Sequence, residues 1–548
     1  MDANSTATSK EPSASPWGAF AYRPFAVIWT ASTIALIGIA MNDTASGWLM
    51  TNLSADPFSV SLVQVAGSLP MFLFTLPAGA LADIIDARRF LIIVSIVIAG
   101  LMATFATLVS LNLATPVSLL ATTFVLSALW ALNAPAWLSI TPLLVPRSEL
   151  EAAIAAGGIG YNISRVAGPA LGGLAIAGLG IAAPFWAFAA SNVVAIAALL
   201  WWRSPRKSGE SLPAERLTSA VRVGLRHAAN NPPLRATMVR TAAIYPFASA
   251  YLALLPLIAR RQIGAGADFY GVMLCAISAG AIVGSFAIKR LNDRFGPDRV
   301  VALGSIGTAI ALVLFGLAAE PRVALGACLL AGASWIVVLA NLYVSAQDAL
   351  PDWVRGRGLS IFLTVIFGAT TVGSLVWGKV AAMAGLPTAQ FIAAAGAILA
   401  IPLTWGWKLQ TGAGLDLAPS MHWQTPTFIR KVENDQGPVM VSVEYRVEVK
   451  NRAEFLRVVD QLRYERKRDG AYAWGLFEDT VVAGRFVEAY LIESWLEFRH
   501  LRERVTNADR MLEERVRGLL SGAPQVSFLV AAERRRAPEE RRAAPAGS

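Results

Sequence analysis

Apolar runs of about 20 residues recur along this chain from about residue 25 to about residue 410. Each is long enough to cross a ~30 Å hydrocarbon core at 1.5 Å per residue. Lipid cannot satisfy backbone polar groups, so a crossing segment must be a helix or part of a closed barrel. These runs lack period-two alternation, which excludes the barrel. The reading is about twelve helical spans, at 25–49, 58–82, 89–111, 115–140, 151–177, 181–203, 235–259, 267–290, 298–318, 321–347, 357–384 and 388–409.

Composition supports this. The chain is 55% hydrophobic and 15% charged, where a soluble domain carries roughly 25% charged residues. The first run has no small-residue cleavage site and follows a polar, Ser-rich stretch, so it reads as a retained helix. Cys275 and Cys328 sit in separate runs without C-x-x-C spacing and read as small buried hydrophobes. No metal-ligand cluster and no cofactor site is expected.

Twelve spans put alternate loops on opposite sides. One set holds Arg88, Arg89, Arg147, Arg203, Arg206, Lys207, Lys289, Arg290, Arg294, Arg299, Arg355 and Arg357; the other has little beyond Arg260, Arg261 and Arg322. Lys and Arg accumulate on the cytoplasmic side, so both termini are expected there. The net charge of +10 has the same origin, since acids and bases roughly balance after residue 410. Anionic lipid explains it without nucleic acid.

The longest basic loop, 204–234, separates a first half (25–203) from a second (235–410), after a cytoplasmic N-terminal segment, 1–24. Six plus six spans suggest a transporter whose halves rock about a central site. GALADIIDARR at 79–89 resembles the loop motif G-x-L-A-D-x-x-G-R-[RK] of the major facilitator superfamily. Gly79, Leu81, Ala82, Asp83 and Arg88 match, and Arg89 follows. Asp86 replaces the second glycine and Ala87 the first arginine. GPALGG, with Gly168, Pro169, Gly172 and Gly173, resembles the fifth-helix signature of antiporter-type members. RPFAVIWTASTIALIG, LNAPAWLSITPLLVPRSELEAAIA and YNISRVAGPALGG are similar to the enterobactin-exporter-like branch of secretion permeases. The resemblance implies the 6+6 major facilitator fold and proton-coupled export from the bacterial inner membrane. It also implies that Asp83 latches the halves against the start of span eleven, near Arg355–Gly358. Simple positive-inside anchoring is the other reading of Arg88 and Arg89.

Charge inside a membrane is costly and marks function by default. Asp43 in span one and Arg165 in span five lie at similar depth. Either they pair as a proton-sensitive site, or Asp43 sits near the periplasmic surface and Arg165 bonds backbone carbonyls. Asn133 and Pro135 in span four open backbone groups toward a cavity. Trp130, Trp137, Tyr161, Tyr245 and Trp335 are candidates to line it, against the commoner role of packing.

The tail differs. A Gly- and Pro-punctuated linker, 411–427, precedes a domain at 428–533, and a charged stretch, 534–548, reads as disordered. VMVSVEYRVEV alternates as a strand, AEFLRVVDQLRYERKR has helical spacing, and AYAWGLFEDT and RFVEAYLIES read as paired strands. Two helical segments and QVSFLVAAE complete a βαββαβ order, the ferredoxin-like α+β unit. GRFVEAYLIESWLEFRHLRERVT resembles the antibiotic-biosynthesis-monooxygenase-like dimeric α/β barrel, which implies homodimer formation through the tail. His500 on a charged helix, with Trp474 and Trp495, forms no nucleophile constellation.

The sequence thus predicts a twelve-helix secondary transporter, not an enzyme, with a ferredoxin-like tail. Its expected partners are the bilayer, protons and a small-molecule substrate such as a siderophore, drug or hydrophobic metabolite. A membrane-anchored sensor or enzyme acting through the tail is the alternative.

Overall fold

The computed structural model describes residues 17–82, 86–203, 224–410, 420 and 436–531. Asp83, most of the basic loop, the linker apart from Ser420, and the final stretch from 534 lie outside them, as does the side chain of His500. The chain divides into two compact units.

Among the described residues, twelve long helices make up nearly all of the first unit. The first six are α1 (Arg23–Leu53), α2 (Pro57–Ala82), α3 (Ala87–Ser110), α4 (Pro116–Ile140), α5 (Leu150–Leu179) and α6 (Ala183–Trp201). The second six are α7 (Pro232–Leu257), α8 (Ala267–Phe295), α9 (Pro297–Leu317), α10 (Pro321–Asp348), α11 (Asp352–Ala384) and α12 (Leu386–Thr404). Proline opens many of them, among them α4, α6, α9 and α10, where its missing N–H costs nothing. A capping box of Thr115 and Ser118 also starts α4.

Among the described residues, eleven of these helices are long and apolar enough to cross a membrane. The fifth expected span is the exception. It is present as the 30-residue α5, but α5 carries Glu151, Asn162, Ser164 and Arg165 among glycines and so misses that apolar criterion. Its glycines let neighbouring backbones approach closely. A Cβ on Gly172 would lie 3.2 Å from the Met41 Cα on α1, and one on Gly173 would lie 2.8 Å from the Ala267 carbonyl oxygen on α8.

The second unit carries a four-stranded antiparallel sheet, in the order β2-β3-β1-β4. Its elements are β1 (Val439–Arg446), α13 (Arg452–Asp469), β2 (Ala473–Glu478), β3 (Arg485–Ile492), α14 (Trp495–Arg504), α15 (Asn507–Arg517) and β4 (Gln525–Val530). The two helical segments expected after β3 are two short helices, α14 and α15. Val439, Val441, Val443 and Tyr445 point inward on β1, against Phe455, Val459 and Leu462 of α13 and Phe498 of α14. Residues 224–231 belong to this unit, where Arg226 donates to the Gly470 carbonyl (2.8 Å) and pairs with Glu493 (3.0 Å).

The interior of this unit buries an ionic network. Glu488 on β3 is 0% exposed and accepts from Tyr445 Oη (2.6 Å) and Trp474 Nε1 (2.8 Å). Arg466 of α13 lies 3.5 Å from Glu488, bridges to Glu513 (2.9 Å) and stacks over the Tyr490 ring. Burial and the Glu488 carboxylate push the Tyr445 hydroxyl up.

Candidate functional site: a sealed seam above a charged interior

The two halves meet along antiparallel helix pairs at the end of the bundle where α1 finishes and α2 begins. Ser68 on α2 hydrogen-bonds Thr371 on α11 at 2.7 Å. Nearer the end, Ser61 faces Gly378, and deeper in, Phe72 faces Gly368. On the other side of the bundle, Gly173 of α5 meets Gly271 of α8. The Cys275 thiol donates to the Val166 carbonyl (3.1 Å), and the Ser278 hydroxyl to the Arg165 carbonyl (2.8 Å). The fifth-helix motif thus forms a two-sided seam: Gly168 and Gly172 face α1, while Pro169 and Gly173 face α8.

Arg260 and Arg261 brace this end. Arg260 donates to Thr51 Oγ1 (2.9 Å) and to Asn52 and lies over the Trp48 ring, and Arg261 donates to the Ala55 carbonyl. Trp48 stacks on Tyr270 of α8. Reading the sequence left both arginines as exceptions to the charge asymmetry. Their signal was that asymmetry itself, since two adjacent cations on the cation-poor side need partners.

Asp43 and Arg165 lie just inside the seam. Asp43 is one helical turn before Gly47, whose face meets Tyr270 of α8 and Pro256 of α7, so Asp43 points between the halves. Both side chains are solvent-accessible. The two make no direct ion pair. Asp43 accepts from Asn42 Nδ2 (3.3 Å), and Arg165 donates to Tyr161 Oη (3.3 Å) and lies over its ring, within Coulombic range of Asp43 and Tyr251.

The aromatic candidates separate. Tyr161 is 49% exposed, beside Arg165. Trp130 and Trp137 on α4 are half-buried. Tyr245 is buried, edge-on to Trp335 at 4.9 Å, and so offers no free face. Asn133 is buried, and its Oδ1 has no hydrogen-bond partner.

Gly79 lies in the last turn and a half of α2. Arg88 donates from Nε to the Leu199 carbonyl (2.9 Å) and from a terminal nitrogen to the Leu200 carbonyl (3.1 Å), which places a cation on the C-terminal end of α6. The Arg89 amide donates to Asp86 Oδ1 (2.8 Å), so the residue that departs from the loop motif is the N-cap of α3. In the second half Asp298 holds the corresponding place. It pairs with Arg240 (2.9 Å) and accepts from the Leu409 amide (3.1 Å) just past α12. Among the described residues no group of His, Cys, Asp and Glu is arranged to hold a metal ion.

Eleven apolar spans, two helical halves and a charged interior define a polytopic membrane transporter of the major facilitator type. The chain belongs to the transmembrane secretion effector family, whose profile matches residues 14–536. It is 24% identical over 377 residues to the multidrug efflux pump Tap of Mycolicibacterium fortuitum, covering 66% of this chain and 90% of Tap. It is 24% identical over 366 residues to the enterobactin exporter EntS of Shigella boydii, covering 66% of this chain and 85% of EntS. In structure it resembles a bacterial homologue of the human lysosomal transporter Spinster (TM-score 0.56, 13% identity, 70% of this chain and 96% of that one). It also resembles the nucleoside transporter NupG (TM-score 0.53, 13% identity, 70% and 99%). At that identity the structural likeness speaks for the fold alone. Family and relatives are transporters, so the chain is a transporter and not an enzyme.

Proposed function

We propose that this chain is a proton-coupled exporter of a small molecule, working by alternating access. The observation that carries the reading is the placement of Asp43 and Arg165. They are two ionisable side chains of opposite charge between the halves, neither covered by protein, and set directly behind the seam. A carboxylate that exchanges its proton as the seam opens and closes couples substrate movement to the gradient. Tyr161, beside Arg165, suits an aromatic or amphipathic cargo, such as a siderophore, drug or hydrophobic metabolite, and Trp130 and Trp137 on α4 are further candidates to meet it. The export direction is drawn from Tap and EntS.

All twelve helices, α5 included, act as spans in this reading, in the bacterial inner membrane with both termini cytoplasmic. Arg88, Arg147, Arg290 and Arg299 then lie on the cytoplasmic side, as the positive-inside rule requires. The seam is periplasmic, and the conformation is inward-open. The loop motif acts as a latch in the opposite state. Along α2 and α11, residue 61 faces 378, 68 faces 371 and 72 faces 368. The same register carried along the sequence brings position 83 opposite 356–357, at the N-terminal end of α11.

The tail is a ferredoxin-like domain of the antibiotic-biosynthesis-monooxygenase-like kind that pairs with a second copy. The βαββαβ order with one helix split and the row Ala473–Leu491–Met440–Leu529 across the sheet face opposite the helices support this. Light scattering of the purified transporter reads its stoichiometry. Efflux from everted vesicles tests the transport reading. Gradient-driven transport of a siderophore or dye, lost in Asp83→Asn, supports it. No gradient-driven flux across a broad substrate panel counts against it.

A further inference from the structure

We propose that α5 and α8 close on each other at the open end of the bundle, Phe286 seating on Gly157 and Gly158 and Glu151 pairing with Lys289 and Arg290. The proposal rests on the alternating-access reading and gives Glu151, Lys289, Arg290 and Phe286 a part in closure that the reading does not assign them.

The register comes from contacts already made. Gly173 and Pro169 face Gly271, Val166 faces Cys275, and Arg165 faces Ser278. The helices are antiparallel, so each step toward the open end on α5 is matched by an equal step on α8. Past Arg165 and Ser278 they part. A Cβ on Gly157 or Gly158 would meet nothing within 4 Å, and Phe286 is 82% exposed. Ile159 and Ile282 are exposed as well.

Continued along the helices, the same register sets complementary groups opposite one another. Ile159 comes opposite Ile282. The two glycines come opposite Phe286, notch against ring. Glu151 comes opposite Arg290, with Lys289 beside it, and Arg147 comes opposite Asp293. The faces agree too. Positions 151, 155, 158, 162, 166, 169 and 173 share one stripe of α5, and 271, 275, 278, 282, 286, 289 and 293 share one stripe of α8. Phe286, Lys289, Arg290 and Asp293 line one surface recess. Glu151, Lys289, Arg290 and Asp293 take part in no ion pair among the described residues. Lipid is the competing cover for Phe286, but lipid tails would not match an acid to a base at the next turn.

Disulfide trapping tests this on the full chain, with Cys275→Ser and Cys328→Ser removing the native thiols. Glu151→Cys with Arg290→Cys, and Gly158→Cys with Phe286→Cys, are oxidised in native membranes. The control is Glu151→Cys with Arg322→Cys, whose positions lie at opposite ends of the bundle. The expected result is reductant-reversible cross-linking of both test pairs well above the control. Rates equal to the control, in variants that elute as monodisperse protein, overturn the proposal. Cross-linking needs no substrate, so failure to find transport bears on the functional reading and not on closure. Where transport is measured, Glu151→Arg lowers efflux about two- to five-fold, the scale of one exposed ion pair, and Glu151→Arg with Arg290→Glu restores it. A double variant no better than the single one also counts against the pairing.

Discussion

Gly271 on α8 and Pro169 on α5 come together backbone to backbone: a Cβ on Gly271 would lie 2.5 Å from the Pro169 carbonyl oxygen. No flexible side chain stands between them to give way. Gly271→Val therefore forces the seam apart. Overpacking of this kind costs about 1–3 kcal/mol, a shift of roughly five- to a hundred-fold toward the state with this end open. Labelling of Ser68→Cys by an impermeant thiol reagent, in a background lacking Cys275 and Cys328, should speed up accordingly. An unchanged rate would show that the seam is not where the halves seal.

Arg88 and Asp86 act as two ends of one fastening. Arg88→Gln removes a cation from the carbonyls that end α6, and Asp86→Ala removes the cap of α3. Each should cost about 1 kcal/mol, read as a lower melting temperature in detergent, and Asp86→Asn should largely preserve the cap. A latch-only role for the loop predicts loss of transport with no loss of stability in either variant.

Glu488 is buried with three donors around it. Glu488→Leu leaves Tyr445 and Trp474 without an acceptor and Arg466 with less counter-charge. Breaking such a network costs about 3–5 kcal/mol. The tail sheet should become protease-sensitive while α1 to α12 stay folded. Tail resistance equal to wild type would contradict the account of its core.

Glu465 gives the tail a pH dependence. Burial and the nearby Asp509 carboxylate push its carboxyl up to about 9, against 4.5 when unfolded. Between those values the folded state holds a proton that the unfolded state has released, so stability falls as pH rises. The contribution is complete below about 4.5 and gone above about 9. Burial raises Asp469 too, in the same direction. Hydrogen exchange of α13 in the whole protein should accelerate from pH 5 to 9 beyond its intrinsic trend, and Glu465→Gln should flatten that excess. An equal excess in the Gln variant assigns it to another group.

Most of the architecture was legible because lipid imposes a simple rule on a sequence, and eleven helices follow from it. The fifth helix obeys a different rule. Its small residues serve close packing against α1 and α8, and packing does not register as hydropathy. The tail strands were legible from alternation, as in Val439–Arg446, and so were the two helical segments after β3, which part at Thr506, the N-cap of α15. Asp86 looked like damage to a motif, although an Asp three residues before Arg89 is also an ordinary helix start. Depth along the helices brought Asp43 and Arg165 to one level, but whether two charges pair depends on water, which spacing does not report. Gly271 and the arginines at 260 and 261 gain meaning only once the halves are seen in contact.

The central claim is that Asp43 couples a proton to transport. The direct measurement is substrate flux in proteoliposomes with and without an imposed pH gradient, comparing wild type with Asp43→Asn. The account predicts gradient-driven accumulation by wild type. Asp43→Asn should lose that accumulation and keep substrate exchange at equal pH, because its halves still move and its cavity still binds. Gradient-driven accumulation by Asp43→Asn at the wild-type rate would contradict it.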